Sequence, residues 1–242
     1  GQGCAGLLRH MEKIRLRELE VYPFADPESL IDFAVERKGI LVAVNALKIA
    51  NANPVTVPII NGNIGYCDGA GAVMAARTKG CREVAKIPGC ELWLKIIERY
   101  ASKATFYLVG ASPRVHAAVV ERLGRDFPGL RIVGHRDGYI KDDAEREALI
   151  ADVARTRPDF VFVAMGSPKQ EILMADMQKR HKAVYQGLGG SFDVYAGAVQ
   201  RAPRWWIDHN MEFAYRLLRQ PKRLKSNLKY LPFGWWLLTR QF

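Results

Sequence analysis

Asp159-Phe-Val-Phe-Val-Ala164, followed without a break by Met165-Gly166-Ser167-Pro168-Lys169-Gln170-Glu171, decides the fold. Five apolar residues, too few for a helix and rich in β-branched and aromatic types, read as a strand buried on both faces. The glycine, serine and proline that follow break the strand, and Lys169 onward is helix-forming. The unit is therefore strand, turn, helix. Outward from it the same grammar repeats at Ile40-Leu-Val-Ala-Val44, Thr105-Phe-Tyr-Leu-Val109, Arg131-Ile-Val133 and Ala183-Val-Tyr-Gln-Gly187. Strands alternating with helical stretches predict an α/β fold, a Rossmann-like and mostly parallel sheet with flanking helices. In such sheets ligands sit at the carboxyl ends of the strands, so the turns there are where chemistry belongs.

Length and composition agree. A chain of 242 residues, 49% hydrophobic and 25% charged, is neither disordered nor fibrous. It buries roughly 70–75% of its unfolded surface, enough for a core without disulfides or metal. Cys4, Cys67, Cys81 and Cys90 show no C-x-x-C spacing and read as reduced cytosolic thiols. No run reaches the 18 or so apolar residues of a membrane span; the nearest, Gly39 to Ile60, is interrupted by Asn45, Lys48, Asn51, Asn53 and Pro54. Gly1 to Gly6 lacks methionine and reads as an added or flexible leader with no signal peptide behind it.

The net charge of +11 is uneven. Residues 201–242 hold Arg201, Arg204, Arg216, Arg219, Lys222, Arg223, Lys225, Lys229 and Arg240 against Asp208 and Glu212, so this last sixth carries +7 of the total. It also holds Trp205, Trp206, Trp235 and Trp236. Leu217, Pro221, Leu224, Leu228, Leu231 and Trp235 recur at spacings of three and four, a basic amphipathic segment broken at Pro221 and Pro232. The indoles of Trp235 and Trp236 suit headgroup depth, and each basic residue near an anionic leaflet contributes about 1 kcal/mol. The expected organisation is an α/β core over residues 1–200 and a helical, membrane-associating appendage over 201–242. A terminal helix packed on its own domain would show the same pattern. Nucleic acid is the other anionic partner such a tail could take, but no DNA- or RNA-binding signature accompanies it.

Several turns carry chemical content. Ser112-Pro113 and Ser167-Pro168 both read as helix starts, with serine at the cap and proline in the first turn; Ser167 and Gln170 also fit a capping box. At Gly166 the backbone can approach a phosphate, which a helix N-terminus attracts. Tyr66-Cys67-Asp68-Gly69 puts a carboxylate before a helix over 72–78, either as a cap or as a general base. Cys67 beside it has no histidine nearby in sequence to activate it. Gly187 to Gly197 holds four glycines and is either a tight turn or a platform for a diphosphate or sugar. Neither it nor Gly69-Ala-Gly71 matches G-x-G-x-x-G before a helix. His10, His116, His135, His181 and His209 lack metal-ligand spacing and no D-x-D occurs, so no metal and no other cofactor is expected; Asp142 and Asp143 serve a helix start.

Together, Tyr66-Cys-Asp68-Gly69, Lys86-Ile-Pro-Gly89-Cys-Glu91-Leu92, Asp137-Gly138-Tyr139, Ala164-Met-Gly166-Ser-Pro168-Lys-Gln170-Glu171, Gly189-Gly-Ser-Phe192-Asp193 and Arg201-Ala-Pro203 through Tyr215-Arg216-Leu-Leu-Arg219 resemble the WecG/TagA/CpsF glycosyltransferases, in order, from about Gly39 to the end. The tail is most similar to the WecG branch, the UDP-N-acetylmannosaminuronic acid transferases of enterobacterial common antigen assembly. The resemblance implies inverting, metal-independent transfer from a UDP-sugar to undecaprenyl-diphosphate-linked N-acetylglucosamine, forming a β-linkage, by an enzyme peripheral on the cytoplasmic face of the membrane. It places Asp68 as the base, with Asn45 beside it. Lys86, Glu91, Tyr139, Gly166, Gln170, Glu171, Phe192 and Asp193 fall among the substrate-binding positions, and Arg201, Arg216, Arg219 and Arg223 in an appendage that closes the site. The same chemistry with N-acetylmannosamine, glucuronic acid or glucose as donor sugar, in teichoic acid, capsule or exopolysaccharide synthesis, is the alternative. Two positions depart from the pattern: Ala43-Val44-Asn45 stands where Thr-x-Asn is usual, and Lys86 replaces an arginine, losing bidentate geometry. Both bear on the donor sugar more than on the reaction. A homo-oligomer is compatible with all of this.

Overall fold

The computed structural model describes residues 11–204 together with Trp236 and Thr239. The chain opens with a hairpin, β1 (Ile14–Leu16) and β2 (Leu19–Val21), then α1 (Pro27–Arg37), β3 (Gly39–Val44), α2 (Ala46–Ala50), α3 (Thr56–Asn61), β4 (Ile64–Cys67) and α4 (Ala70–Thr78). It continues through α5 (Gly89–Tyr100), β5 (Thr105–Gly110), α6 (Pro113–Asp126), β6 (Arg131–Arg136) and α7 (Asp143–Thr156). β7 (Phe160–Ala164), α8 (Lys169–Arg180), β8 (Val184–Gly187) and α9 (Ser191–Tyr195) complete it.

Strands β3 to β8 form one six-stranded sheet in the order β4-β3-β8-β7-β5-β6, and every pairing is parallel. All six carboxyl ends therefore share one edge. Each strand alternates its side chains between two cores. Ile40, Val42 and Val44 of β3 and Val161 and Val163 of β7 face one core with the hairpin and residues of α4, α7 and α8. Leu41, Phe106, Leu108, Phe160 and Phe162 face the other, with residues of α1, α5 and α6. Burial on both faces is why the strands read as unbroken apolar runs rather than alternating ones.

Two pieces go beyond the sequence reading. β4 is a strand, although its four residues include Gly65; a Cβ there would lie 2.7 Å from the Glu20 carbonyl oxygen, so glycine lets β2 cross the sheet edge. The hairpin turns at Arg17, φ 59°, with Ile14, Leu16, Leu19 and Val21 packed inward. The expected cap at Ser112 is present, its Oγ accepting from Val115 N at 3.4 Å; Asp142, expected only to favour the helix start by its charge, also caps it, Oδ1 accepting from Glu145 N at 2.8 Å.

The expected cap at Ser167 is not. α8 begins at Lys169 with Pro168 before it and no side-chain cap, the Ser167–Pro168 peptide is cis, and Gln170 turns into the protein instead of back toward a serine. The physical reason is competition: the Gln170 amide has better partners in two loops.

Candidate active site at the carboxyl edge of the sheet

Four loops meet along the edge from β4 to β7. Asp68 follows β4, and its backbone N–H donates to Val44 O at 2.8 Å, which joins it to the end of β3. It is half-buried, and Gly69 behind it has φ +91° with nothing within 4 Å of where a Cβ would be. Gly166 after β7, φ +77°, and Gly189 after β8, φ +55°, are equally open. Bare, positive-φ backbone at three strand ends along one edge is a surface that a phosphate or sugar can approach closely.

Those loops are tied to one another. Gln170, 5% exposed, accepts through Oε1 from Gly189 N at 2.9 Å and from Gly166 N at 3.2 Å. Its Nε2 donates to Glu171 Oε1 at 3.4 Å, and the same oxygen receives Lys48 Nζ at 2.6 Å. Lys48 belongs to α2, whose cap is Asn45: Asn45 Oδ1 accepts from Lys48 N at 2.9 Å. The sequence reading missed Lys48, and no local signal could have found it, since its partner is 123 residues away.

Beneath Asp68 the sheet is polar and buried. Gln186 Nε2 donates to Gly89 O at 3.1 Å and lies 3.4 Å from the Tyr66 hydroxyl. Burial first, and the charge of Asp68 second, push the Tyr66 hydroxyl well above its ordinary pKa, so it stays protonated. Burial likewise pushes the Cys67 thiol up to about 12, with the charges of Cys81 and Asp68 adding to it. Cys67 is no thiolate at neutral pH and no nucleophile.

The remaining expected residues fall in three groups. Glu91, in the first turn of α5, pairs with Arg201, Oε1 to Nη1 2.7 Å. Ala202 next to it is buried, so this stretch of chain packs on the core beside the start of α5. Lys86 is half-buried in the segment leading to α5. Tyr139 is 63% exposed on the turn after β6, held by Asp137 Oδ1 accepting from its N–H at 2.8 Å, beside a depression of about 400 Å³ lined by His135, Arg136 and Asp137. Asp193 is half-buried in α9, where its carbonyl accepts from Ala198 N and Val199 N. Phe192, expected to touch substrate, is instead a core residue: it is fully buried, with its ring 5.5 Å from that of Trp93.

Arg216, Arg219 and Arg223 lie outside the described residues. Trp236 is described, and it is not a free indole: the Arg17 guanidinium lies 3.7 Å from its ring centroid and the side chain packs against the core. Cation–π attraction and burial hold it on the hairpin. Among the described residues no helix is long and apolar enough to cross a membrane, and no three His, Cys, Asp or Glu side chains gather as a metal site.

A parallel sheet covered on both faces, with a carboxylate and open glycine loops at its carboxyl edge, is a Rossmann-like α/β architecture, in which ligands characteristically lie along that edge. The model of the glycosyl transferase WecG/TagA/CpsF family matches residues 20–242, and the chain belongs to that family. It is a glycosyltransferase.

Proposed function

We propose that the enzyme transfers a sugar, in the leading reading N-acetylmannosaminuronic acid, from its UDP conjugate to undecaprenyl-diphosphate-linked N-acetylglucosamine, with inversion, at the inner face of the cytoplasmic membrane. The observation that carries this is the spacing along the sheet edge. At about 4.8 Å per strand, Asp68 on β4 stands about 10 Å from the β8 loop and about 14 Å from the β7 loop. A hexose fits between a base at one end and a diphosphate at the other.

The chemistry follows from that layout. Asp68 takes the proton of the acceptor hydroxyl as its oxygen attacks the anomeric carbon from the face opposite the leaving group. The bond from that carbon to the β-phosphate oxygen breaks, and its electrons leave with UDP. The N–H groups of Gly166 and Gly189 are taken by Gln170, so these loops offer the diphosphate open, side-chain-free backbone to lie against, and the first turn of α8 beside them supplies the partial positive charge that meets the departing UDP. Arg201 is paired with Glu91 at the start of α5, and in this reading Arg216, Arg219 and Arg223 of the same appendage are brought to the same charge. Diphosphate neutralisation by arginine and backbone N–H groups needs no metal. With the arginines on a membrane-docking element, the complete site would assemble only where the lipid acceptor resides.

Calorimetric titration with UDP in EDTA tests the nucleotide half: saturable binding is expected, and its absence in the presence of anionic vesicles would reject it. Asp68→Asn tests the base. Transfer should fall by about 10² or more with UDP affinity and Tm retained; unchanged turnover removes Asp68 from the mechanism. In the full chain, co-sedimentation with anionic liposomes, lost on deletion after Pro203, is expected of the membrane partner. Binding to duplex DNA without liposome binding would overturn it.

A further inference from the structure

The Lys48–Glu171 pair is poorly explained by stability. Glu171 is 1% exposed and gives up its hydration, a loss that an ion pair recovers only when its other lone pairs are satisfied too. Oε1 receives both Lys48 Nζ and Gln170 Nε2, whereas Oε2 has no hydrogen-bond donor among the described residues. An apolar pair of similar volume would join α2 to α8 as well or better.

What an apolar pair could not do is orient Gln170. A glutamine amide has an accepting and a donating end of nearly the same shape, and its neighbours choose between them. With the amide reversed, its NH2 would meet the N–H groups of Gly166 and Gly189, and its carbonyl oxygen would meet a carboxylate. The two N–H groups oppose that reversal at one end of the amide and the Glu171 carboxylate opposes it at the other, and Lys48 holds the carboxylate in place at 2.6 Å. We infer that Lys48 is a positioning residue. It fixes Glu171, Glu171 fixes the sense of the Gln170 amide, and Gln170 Oε1 holds the two open glycine loops in one register. The strut stands on geometry alone; its consequence for a bound UDP rests on the function proposed above.

Three variants of the full chain test it: Lys48→Met, Lys48→Arg, and Lys48→Met combined with Glu171→Leu. Hydrogen exchange is read on peptides containing Gly166 and Gly189, beside the Tm and the Kd for UDP. In the double variant Tm should stay within about 3 °C of the unaltered protein, because the pair is replaced by apolar contact. Exchange at both loops should rise by about tenfold or more, and the Kd for UDP should weaken by a similar factor. Lys48→Arg, which keeps the charge, should restore both. Unchanged loop exchange in both methionine-bearing variants overturns the strut. Faster exchange with an unchanged Kd for UDP overturns its role in positioning a ligand. If the unaltered protein binds no UDP while the variants loosen the loops, the strut stands and the nucleotide-sugar reading falls. Should the double variant fail to fold, Lys48→Met compared with Lys48→Arg reads the same loops.

Discussion

The turns after β5 and β7 are written alike and built differently. Gly110-Ala111-Ser112-Pro113 and Gly166-Ser167-Pro168 each set a positive-φ glycine and a Ser-Pro pair between a buried strand and a helix. After β5 every part serves packing. Gly110 leaves no room for a Cβ, which would lie 2.2 Å from Ala164 O, and Ser112 caps α6. After β7 the glycine faces open space, the serine caps nothing, and Gln170 two residues past the proline ties the loop to its neighbour. The same short pattern thus makes a structural joint at one strand end and a ligand-facing loop at another. What separates them is the room above the glycine, which depends on residues distant in sequence.

The largest effect expected from this contrast is at Gly110. Gly110→Ala must displace the backbone of β7 and hold alanine at φ +126°, which should cost at least about 3 kcal/mol and leave little folded protein. Gly166→Ala meets no atom within 4 Å, so its cost should be only about 1–2 kcal/mol, from the positive φ. Its damage should appear in the Kd for UDP. Denaturant unfolding of both variants, with UDP titration of the second, checks the pair. Equal stability losses would mean that the two turns are built alike after all.

Next comes Gln170→Ala, which takes the acceptor from two half-buried N–H groups. A loss of about 2 kcal/mol is expected, read as a fall of roughly 4–8 °C in Tm. In the other turn, Ser112→Ala should cost about 1 kcal/mol and leave UDP affinity alone, as the removal of an ordinary cap does. Ser167→Ala should cost nothing measurable in stability, because no cap is lost.

These cases show what the sequence could carry. Burial on both faces of a parallel sheet leaves a mark that needs no partner to be read, so β3, β5, β7 and β8 are plain in it; the half-exposed edge strand β6 shows only in its short Ile132-Val133 pair. β4 is not plain, because its glycine answers to β2 crossing it, and the hairpin is not, because Arg17 is an unusual turn residue. Ser112 could be read as a cap, and Asp142 as belonging to a helix start, because a cap reaches only three residues along the chain. Ser167 obeyed the same local rule and lost to a distant one. Asp68 and Gln170 stand out by motif, but the link from Lys48 to Gly189 runs through three separate strand ends and leaves no spacing to detect.

The smallest expected effect concerns pH, and it singles out the β5 turn again. His116 Nδ1 lies 2.9 Å from Gly110 O, which can only accept, so Nδ1 carries the proton; Nε2 lies 3.2 Å from His135 Nδ1 and accepts from it. Burial holds the His116 ring below the ordinary histidine pKa. The Gly110 carbonyl opposes that shift, His135 reinforces it, and Asp137 opposes it. Folding therefore favours the neutral ring. Its stabilisation is complete above about pH 6.5 and is lost as pH falls through the lower folded value. Carboxylates held low by tyrosine hydroxyls, Asp126 by Tyr195 and Asp152 by Tyr107, lose their contribution only in a more acidic range, below about pH 4. Between pH 7 and 5 the decline in Tm should therefore be shallow and come mainly from the β5 turn. His116→Gln should flatten it, since an amide can donate to Gly110 O without titrating. An unaltered slope in that variant would take the histidine out of the pH dependence and leave the β5 turn a joint of packing and capping alone.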